Sequence, residues 1–381
     1  MDLELTSEAR AFLDRVERFA RERVAPEAAA IDETAVFPRA LVAEAAAIGL
    51  MGVTLPPALG GAGHDYVTYA LAIEAVARAS ATLSVALVVN NSLVAEPILQ
   101  FGTEDQKRTW LPALTAGTAI GAFALTEARA GSDAAHQKTV ARLDATGYAL
   151  TGRKIWVSNG EVCDLVLVFA ATTPASDGRA IGAFLVPADT PGLTRGPVVD
   201  SLGVRGLGCV DLTLEDVRVE AGGLLGAPGQ GFPVAMWALE GCRIAIAAQA
   251  LGIGQAALDV ALAHARSREQ FGQPIANFQA IQFMLADIAT ELEAARMLTL
   301  KAADAKTRQP RVLLEASMAK LQASEAAHAA ADKALQILGA AGYKRGHVAE
   351  RLFRDARVTE IYPGTSEVQR MVIAEMVLGQ R

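Results

Sequence analysis

Cysteine is scarce in this 381-residue chain, and Cys163, Cys209 and Cys242 form neither a CxxC pair nor an even set for a disulfide framework. That scarcity fits a reducing compartment. The five histidines show no HExxH or related ligand spacing, so no metal site is expected. Positive charge is in deficit: the formal net charge is −7 with no basic stripe, which argues against a nucleic-acid partner and leaves any anionic ligand to a local pocket of arginines. Long uninterrupted apolar runs are missing as well. The most apolar helical pattern, Ile244 to Leu258, carries Gln249 and Gln255 and falls short of the ~20 residues that a membrane span requires. The chain starts Met1-Asp2-Leu3-Glu4-Leu5, acidic where a secretory signal needs basic residues. A soluble, cytoplasmic protein without membrane insertion is the expectation.

Three kinds of pattern follow one another along the chain. Residues 1–122 read as an all-α domain, beginning with a helix over Ser7 to Val24 whose apolar residues Phe12, Leu13, Val16, Phe19 and Ala20 share one face. Thr6 or Ser7 would cap it, Pro38 opens a helix over Ala40 to Gly49, and a long Ala-rich helix spans Tyr66 to Ala79. Residues 123–228 form a small β domain, with a hairpin signal at Thr146-Gly147 and further short strands at Lys154, Leu165, Ile181 and Val210. A glycine-rich hinge, Gly222 to Gly231, closes it. Residues 229–381 read as a four-helix bundle over Phe232–Ser267, Ile275–Lys306, Val312–Leu338 and Val348–Phe353. The fold class is therefore α+β. Two glycine clusters are set aside: Gly61 to Gly63 has no strand before it and no GK[ST] after it, and Gly252-Ile253-Gly254 lies inside a helix.

Near the end, the polar segment Arg357-Val-Thr-Glu-Ile-Tyr-Pro-Gly-Thr-Ser-Glu-Val-Gln-Arg370 breaks the helical region. Pro363 lacks an N–H, Gly364 can take a positive φ, and Thr365 can cap a following helix with Glu367 in its first turn. A helix N-terminus of this kind favours negative charge.

With Ala124-Leu-Thr-Glu-Ala-Arg-Ala-Gly-Ser-Asp133, Trp156-Val-Ser-Asn-Gly160, Arg268-Glu-Gln-Phe-Gly-Gln-Pro274 and Gln336-Ile-Leu-Gly-Ala-Ala-Gly-Tyr343, that segment makes five motifs in order. In this order the chain resembles the acyl-CoA dehydrogenase family over essentially its whole length, most closely the short-chain members. The resemblance implies FAD, an acyl-CoA substrate, a homotetramer in which subunits share the cofactor site, an electron-transfer flavoprotein as redox partner, and a role in fatty acid metabolism. Phe123, Leu125, Thr126, Ser132, Trp156 and Ser158 would line the flavin. Arg268, Phe271, Phe278, Gln279, Gln336, Ile337, Gly339 and Ala340 would hold the pyrophosphate and adenine of a neighbour's FAD, and Thr365 and Glu367 would meet the cofactor near the break. Ser132, Glu240, Arg243, Tyr362 and Gly364 would face the acyl-CoA.

The chain departs from the family at the base. Members carry a glutamate where Pro363 stands, or alternatively where Cys242 stands; neither position here is a carboxylate, and Pro363 also removes the N–H that binds the thioester oxygen. Glu240, Glu96 and a low-pKa Cys242 thiolate are the candidates for a relocated base. Non-redox elimination such as desulfination, reduction, and a non-catalytic flavin-binding role stand as alternatives. Ala128 and Arg129 replace a Pro-Gly pair in the flavin loop, with Arg129 a possible source of positive charge at the acyl rim, and Ala340 replaces a common glycine.

Overall fold

A computed structural model describes residues 4–172 and 180–380. The first helix, α1 (Ser7–Phe19), is capped by Thr6, whose hydroxyl accepts from the Ala9 N–H at 3.1 Å. It does not stop at Val24: a widened π-type turn over Ala20–Val24 leads straight into α2 (Ala25–Thr34). The reason is Pro26, which has no N–H and whose ring crowds the carbonyl one turn earlier, so the turn before it opens. The same device recurs where α5 (Ala81–Val88) passes through a widened Val89–Ala95 into α6 (Glu96–Phe101), which carries Pro97. Between these lie α3 (Arg39–Ala47) and α4 (Tyr66–Ala79), with Asp65 capping α4 through the Thr68 N–H at 2.8 Å. Helix α7 (Glu104–Thr115) completes the α region behind a capping box of Thr103 and Gln106.

The β region holds β1 (Gly121–Ala124), β2 (Val140–Asp144), β3 (Gly147–Val157), β4 (Leu165–Ala171), β5 (Ile181–Pro187), β6 (Leu193–Val198), β7 (Val210–Glu220) and the short β8 (Leu224–Leu225). Their order is β6-β7-β3-β2-β4-β5-β8, with β1 pairing parallel to β4. The β2–β3 hairpin turns through Ala145-Thr146, one residue earlier than the Thr146-Gly147 read from sequence: Gly147 pairs with Asp144 and opens β3, and the Thr146 N–H donates to the Asp144 carboxylate.

Helix α8 (Gly231–Ser267) runs 37 residues through the middle of the molecule. It and the 81–101 segment are long and apolar enough to span a membrane, contrary to the length expected from sequence, but 78% and 94% of those windows are buried inside the protein. Their apolar surface is core. Gly252 and Gly254 serve this packing: a Cβ on Gly252 would sit 2.4 Å from the Glu74 carbonyl oxygen, and one on Gly254 2.5 Å from Leu292. Around α8 pack α9 (Gln279–Arg308), α10 (Leu313–Leu338) and α11 (Val348–Thr359), the last running six residues beyond the Phe353 end read from sequence. After the Glu360–Thr365 break comes α12 (Ser366–Val377). A small hairpin, β9 (Glu269–Gln270) and β10 (Gln273–Pro274), turns through Phe271 and Gly272, both at positive φ.

Candidate active site

On the β side the site is built around a buried ion pair. Lys154, on the inward face of β3, donates to Glu127 at 2.8 Å, to the Gln137 amide oxygen at 2.8 Å and to the Leu125 carbonyl at 3.1 Å. Glu127 also accepts from the backbone N–H groups of Lys138 and Thr139. Burial pulls Lys154 down to about 8 despite Glu127, while on Glu127 the lysine and the two N–H groups outweigh burial and hold it below the usual carboxylate range. Through this pair the 125–131 loop is pinned to β3, and the Ile155 N–H closes it by donating to Thr126 O at 2.9 Å. Immediately beyond, β3 bulges against β7 and Trp156 takes φ +57°, which leaves its indole 56% exposed. Leu125 is buried and Phe123 packs on Phe169. Ser158 is half-buried, and Ser132, Ala128 and Arg129 are exposed on the loop rim.

On the bundle side, Phe271 is 92% exposed on its hairpin tip, edge-on to Phe278, beside the exposed Arg268 and Gln279. At the end of α10, Gln336 and Ala340 are exposed and Gly339 has φ +57° with nothing within 4 Å of where a Cβ would stand. Ile337 differs from expectation: it is buried in the bundle core, so only its backbone can face a ligand. Thr365 caps α12 by accepting from the Val368 N–H at 3.3 Å, with Glu367 exposed in the first turn. An uncovered indole, an open glycine turn, a free guanidinium-bearing hairpin and a capped helix start suit FAD in its ring, pyrophosphate and adenine parts.

The residues expected to face the acyl-CoA come together where α8 meets the break. Tyr362 donates to Gln249 Oε1 at 2.6 Å, and Gln249 Nε2 donates to Ala81 O at 2.9 Å, which locks the turn to α8 and α5. The Gly364 carbonyl accepts from Lys320 Nζ and from Gln369 Nε2, each at 2.9 Å, and Gly364 itself sits at φ +91°. Arg243 is buried on α8 with Nη1 3.4 Å from Ser317 Oγ.

The three candidate bases separate clearly. Cys242 is buried and its thiol is pushed up to about 12, chiefly by burial, so the low-pKa thiolate expected as one option is not populated. Glu240 does not reach along α8 toward a ligand: fully buried, it accepts from Arg311 Nε at 2.6 Å and the Val312 N–H at 3.0 Å, tying the α9–α10 connection to α8. Glu96 is buried without such a cation on its oxygens. It accepts from the hydroxyls of Tyr66 and Thr54, the latter at 2.7 Å, and burial raises it above the usual carboxylate range. Gly241 makes the room, since a Cβ there would stand 2.4 Å from the Tyr66 hydroxyl and 3.3 Å from Glu96 Oε2. Glu96 lines a cleft of about 450 Å³ with Tyr66, Trp237 and Lys306, whose ammonium lies 4.2 Å from the Trp237 ring centroid.

Three family models cover the chain: the acyl-CoA dehydrogenase N-terminal domain over residues 6–118, the middle domain over 122–217 and the C-terminal domain over 229–378. The chain belongs to the acyl-CoA dehydrogenase family. It is an oxidoreductase of that family's FAD-binding type. A mitochondrial short-chain specific acyl-CoA dehydrogenase of Homo sapiens is 46% identical over 376 residues, covering 99% of this chain and 91% of the relative. The solved butyryl-CoA dehydrogenase from Megasphaera elsdenii superposes with a TM-score of 0.97 at 40% identity, covering 99% of this chain and all of the other. A glutaryl-CoA dehydrogenase from Mycobacterium smegmatis, solved in complex with FADH2, superposes at 0.92 with 32% identity, covering 98% and 95% of the two chains.

The parts that Lys154, Gln249, Lys320 and Tyr66 play in the site escaped the sequence reading. Three of them had a signal: Lys154, Gln249 and Lys320 are polar residues inside apolar periodic runs, where burial demands a partner. Tyr66 had none, because a tyrosine opening an apolar helix reads as core.

Proposed function

We propose that this acyl-CoA dehydrogenase oxidises a short acyl-CoA thioester between its α and β carbons, with Glu96 as the group that accepts the α-proton. Bound FAD supplies the acceptor for the β-hydride. Trp156, Thr126 and Leu125 offer the ring a flat, largely apolar wall, and Arg268, Phe271 and the Gly339 turn offer the rest of the cofactor its anchor. Tyr362 and Gly364, fixed by Gln249, Lys320 and Gln369, present the turn against which the thioester is held.

The observation that carries the assignment of the base is the contrast among the three candidates. Glu240 is committed to Arg311, Cys242 remains a neutral thiol, and Glu96 is a buried carboxyl held only by hydroxyls, one residue of α8 away from Cys242. A carboxyl that burial raises above the usual carboxylate range is suited to taking a proton from carbon. Its cleft, lined by His64, Asp65 and Gln309 as well as Lys306, provides an exit for that proton. The short acyl chain is supported by the kinship to short-chain and butyryl-CoA enzymes. A homotetramer, an electron-transfer flavoprotein as electron acceptor and a cytoplasmic site belong to the same reading.

Anaerobic mixing of the FAD-loaded protein with butyryl-CoA tests it. Bleaching of the flavin with crotonyl-CoA formed, and loss of both in Glu96→Gln, is the expected result. Thioester consumed with the flavin unbleached would replace it by non-redox elimination, and an undiminished rate in Glu96→Gln would remove Glu96 from the reaction.

A further inference from the structure

Lys320 is a fully buried cation that the reaction as written does not use. It projects from the Ala-rich face of α10, between Ala316, Ala319 and Ala323, and its Nζ donates to the carbonyl of Gly364, the residue after Pro363. Burying an ammonium against alanines is costly unless the contact is needed, and here the contact is with a backbone carbonyl of the break between α11 and α12. Gln369 meets the same carbonyl and also the Pro363 carbonyl, at 3.4 Å, so both peptide oxygens of the turn are engaged by side chains of α10 and α12.

We propose that Lys320 is a positioning residue for the dehydrogenation: its ammonium holds the Gly364 carbonyl, and so the Gly364–Thr365 peptide, and thereby fixes the turn that follows Pro363 against the bound thioester. The inference rests on the reading that the Tyr362–Gly364 turn meets the substrate. Pro363 makes the grip matter more, because a turn that has lost one N–H can polarise the thioester only through the orientation of its remaining dipoles.

The grip is also titratable. Burial first, then the Arg243 guanidinium, push Lys320 down to about 7, against Glu360, Glu367 and the Cys242 thiol, which pull it upward. Glu360 is itself shared with His328, at 2.8 Å, and with Arg357. Lys320 is therefore charged below neutrality and loses its charge as pH rises through about 7, weakening a charge-assisted hydrogen bond into an ordinary one. Glu96, raised by burial, becomes a competent base as pH rises. Together they give the rate a bell-shaped profile whose alkaline limb belongs to Lys320.

The test compares wild type, Lys320→Met and Lys320→Arg as FAD-loaded enzymes, reading kcat and KM across pH and, separately, the change in the flavin's visible spectrum on binding crotonyl-CoA. Lys320→Met should lower kcat by about 10²-fold, the scale of a reacting-group misplacement, with a much smaller change in KM and no alkaline limb near neutrality. Lys320→Arg should restore the rate and move the limb out of range. A Lys320→Met profile of wild-type shape overturns the proposal; if that variant does not fold, a limb near pH 7 persisting in Lys320→Arg does so equally. The spectral titration keeps the two readings apart. A wild type that turns over no acyl-CoA, but whose spectral response titrates near neutrality and ceases to do so in Lys320→Arg, would sink the proposed reaction and leave the positioning role standing.

Discussion

Glu127 and Glu96 are both carboxylates buried in the same protein, and they have opposite characters. Glu127 has a lysine and two backbone N–H groups on its oxygens, and these favour its charged form strongly enough to beat burial. Glu96 has two hydroxyls, and burial wins. The same residue type is thus a paired, charged rivet on the 125–131 loop and, beside α8, a buried carboxyl held by hydroxyls, the group proposed above as the base. The difference lies in whether the donors facing it are charged and fixed or neutral and able to turn.

The largest effect that would break this comparison is on stability. Lys154→Met strands a buried Glu127, and removing one partner of such a pair costs about 3–5 kcal/mol; chemical denaturation of the apoprotein should show it, together with loss of FAD retention. If Lys154→Met melts like wild type, Glu127 is not the rivet described. Glu96→Gln should do the reverse, leaving the midpoint nearly unchanged at acid pH, where Glu96 carries its proton, while the rate of flavin reduction falls by about 10²- to 10⁴-fold, the range for loss of a general base.

The pH dependence of stability sharpens the contrast through its sign. Glu127 is lowered in the folded state, so it contributes stability above its unfolded value and loses it as pH falls through the folded one. Glu96 is raised, so its proton is held more tightly when folded, and its contribution fades as pH rises from the unfolded value through the folded one. Denaturation midpoints of Glu127→Gln and Glu96→Gln, followed from acid to neutral pH, should therefore diverge from wild type in opposite directions. At the small end, Thr54→Val removes one neutral hydrogen bond worth about 0.5–1.5 kcal/mol and should push the acid limb of the rate upward. An acid limb that stays in place would show that the Tyr66 contact alone sets Glu96.

The α-β-α order, the helix caps at Thr6 and Thr365, the β2–β3 hairpin to within one residue and the break at Pro363-Gly364 were legible in the chain, because each depends on residues within one turn of one another, whereas the Asp65 cap of α4 was not read. The motifs at 124–133, 156–160 and 268–274 were legible as well, since each is contiguous. The widened turns before Pro26 and Pro97 were less so: proline announces a disturbance but not whether the helix ends or opens. What remained hidden was every pairing across distance. Nothing local tells that Glu240 is spent on Arg311, that Glu96 faces Tyr66 across Gly241, or that Lys320 reaches Gly364. The amino-acid sequence by itself determined the elements, the family and the absence of a carboxylate at positions 242 and 363. Which of the remaining buried charges is paired with a cation and which is held only by hydroxyls was decided only by the tertiary structure, because a charge takes its character from the groups that desolvate and bond it, and those come from elements far apart in the chain.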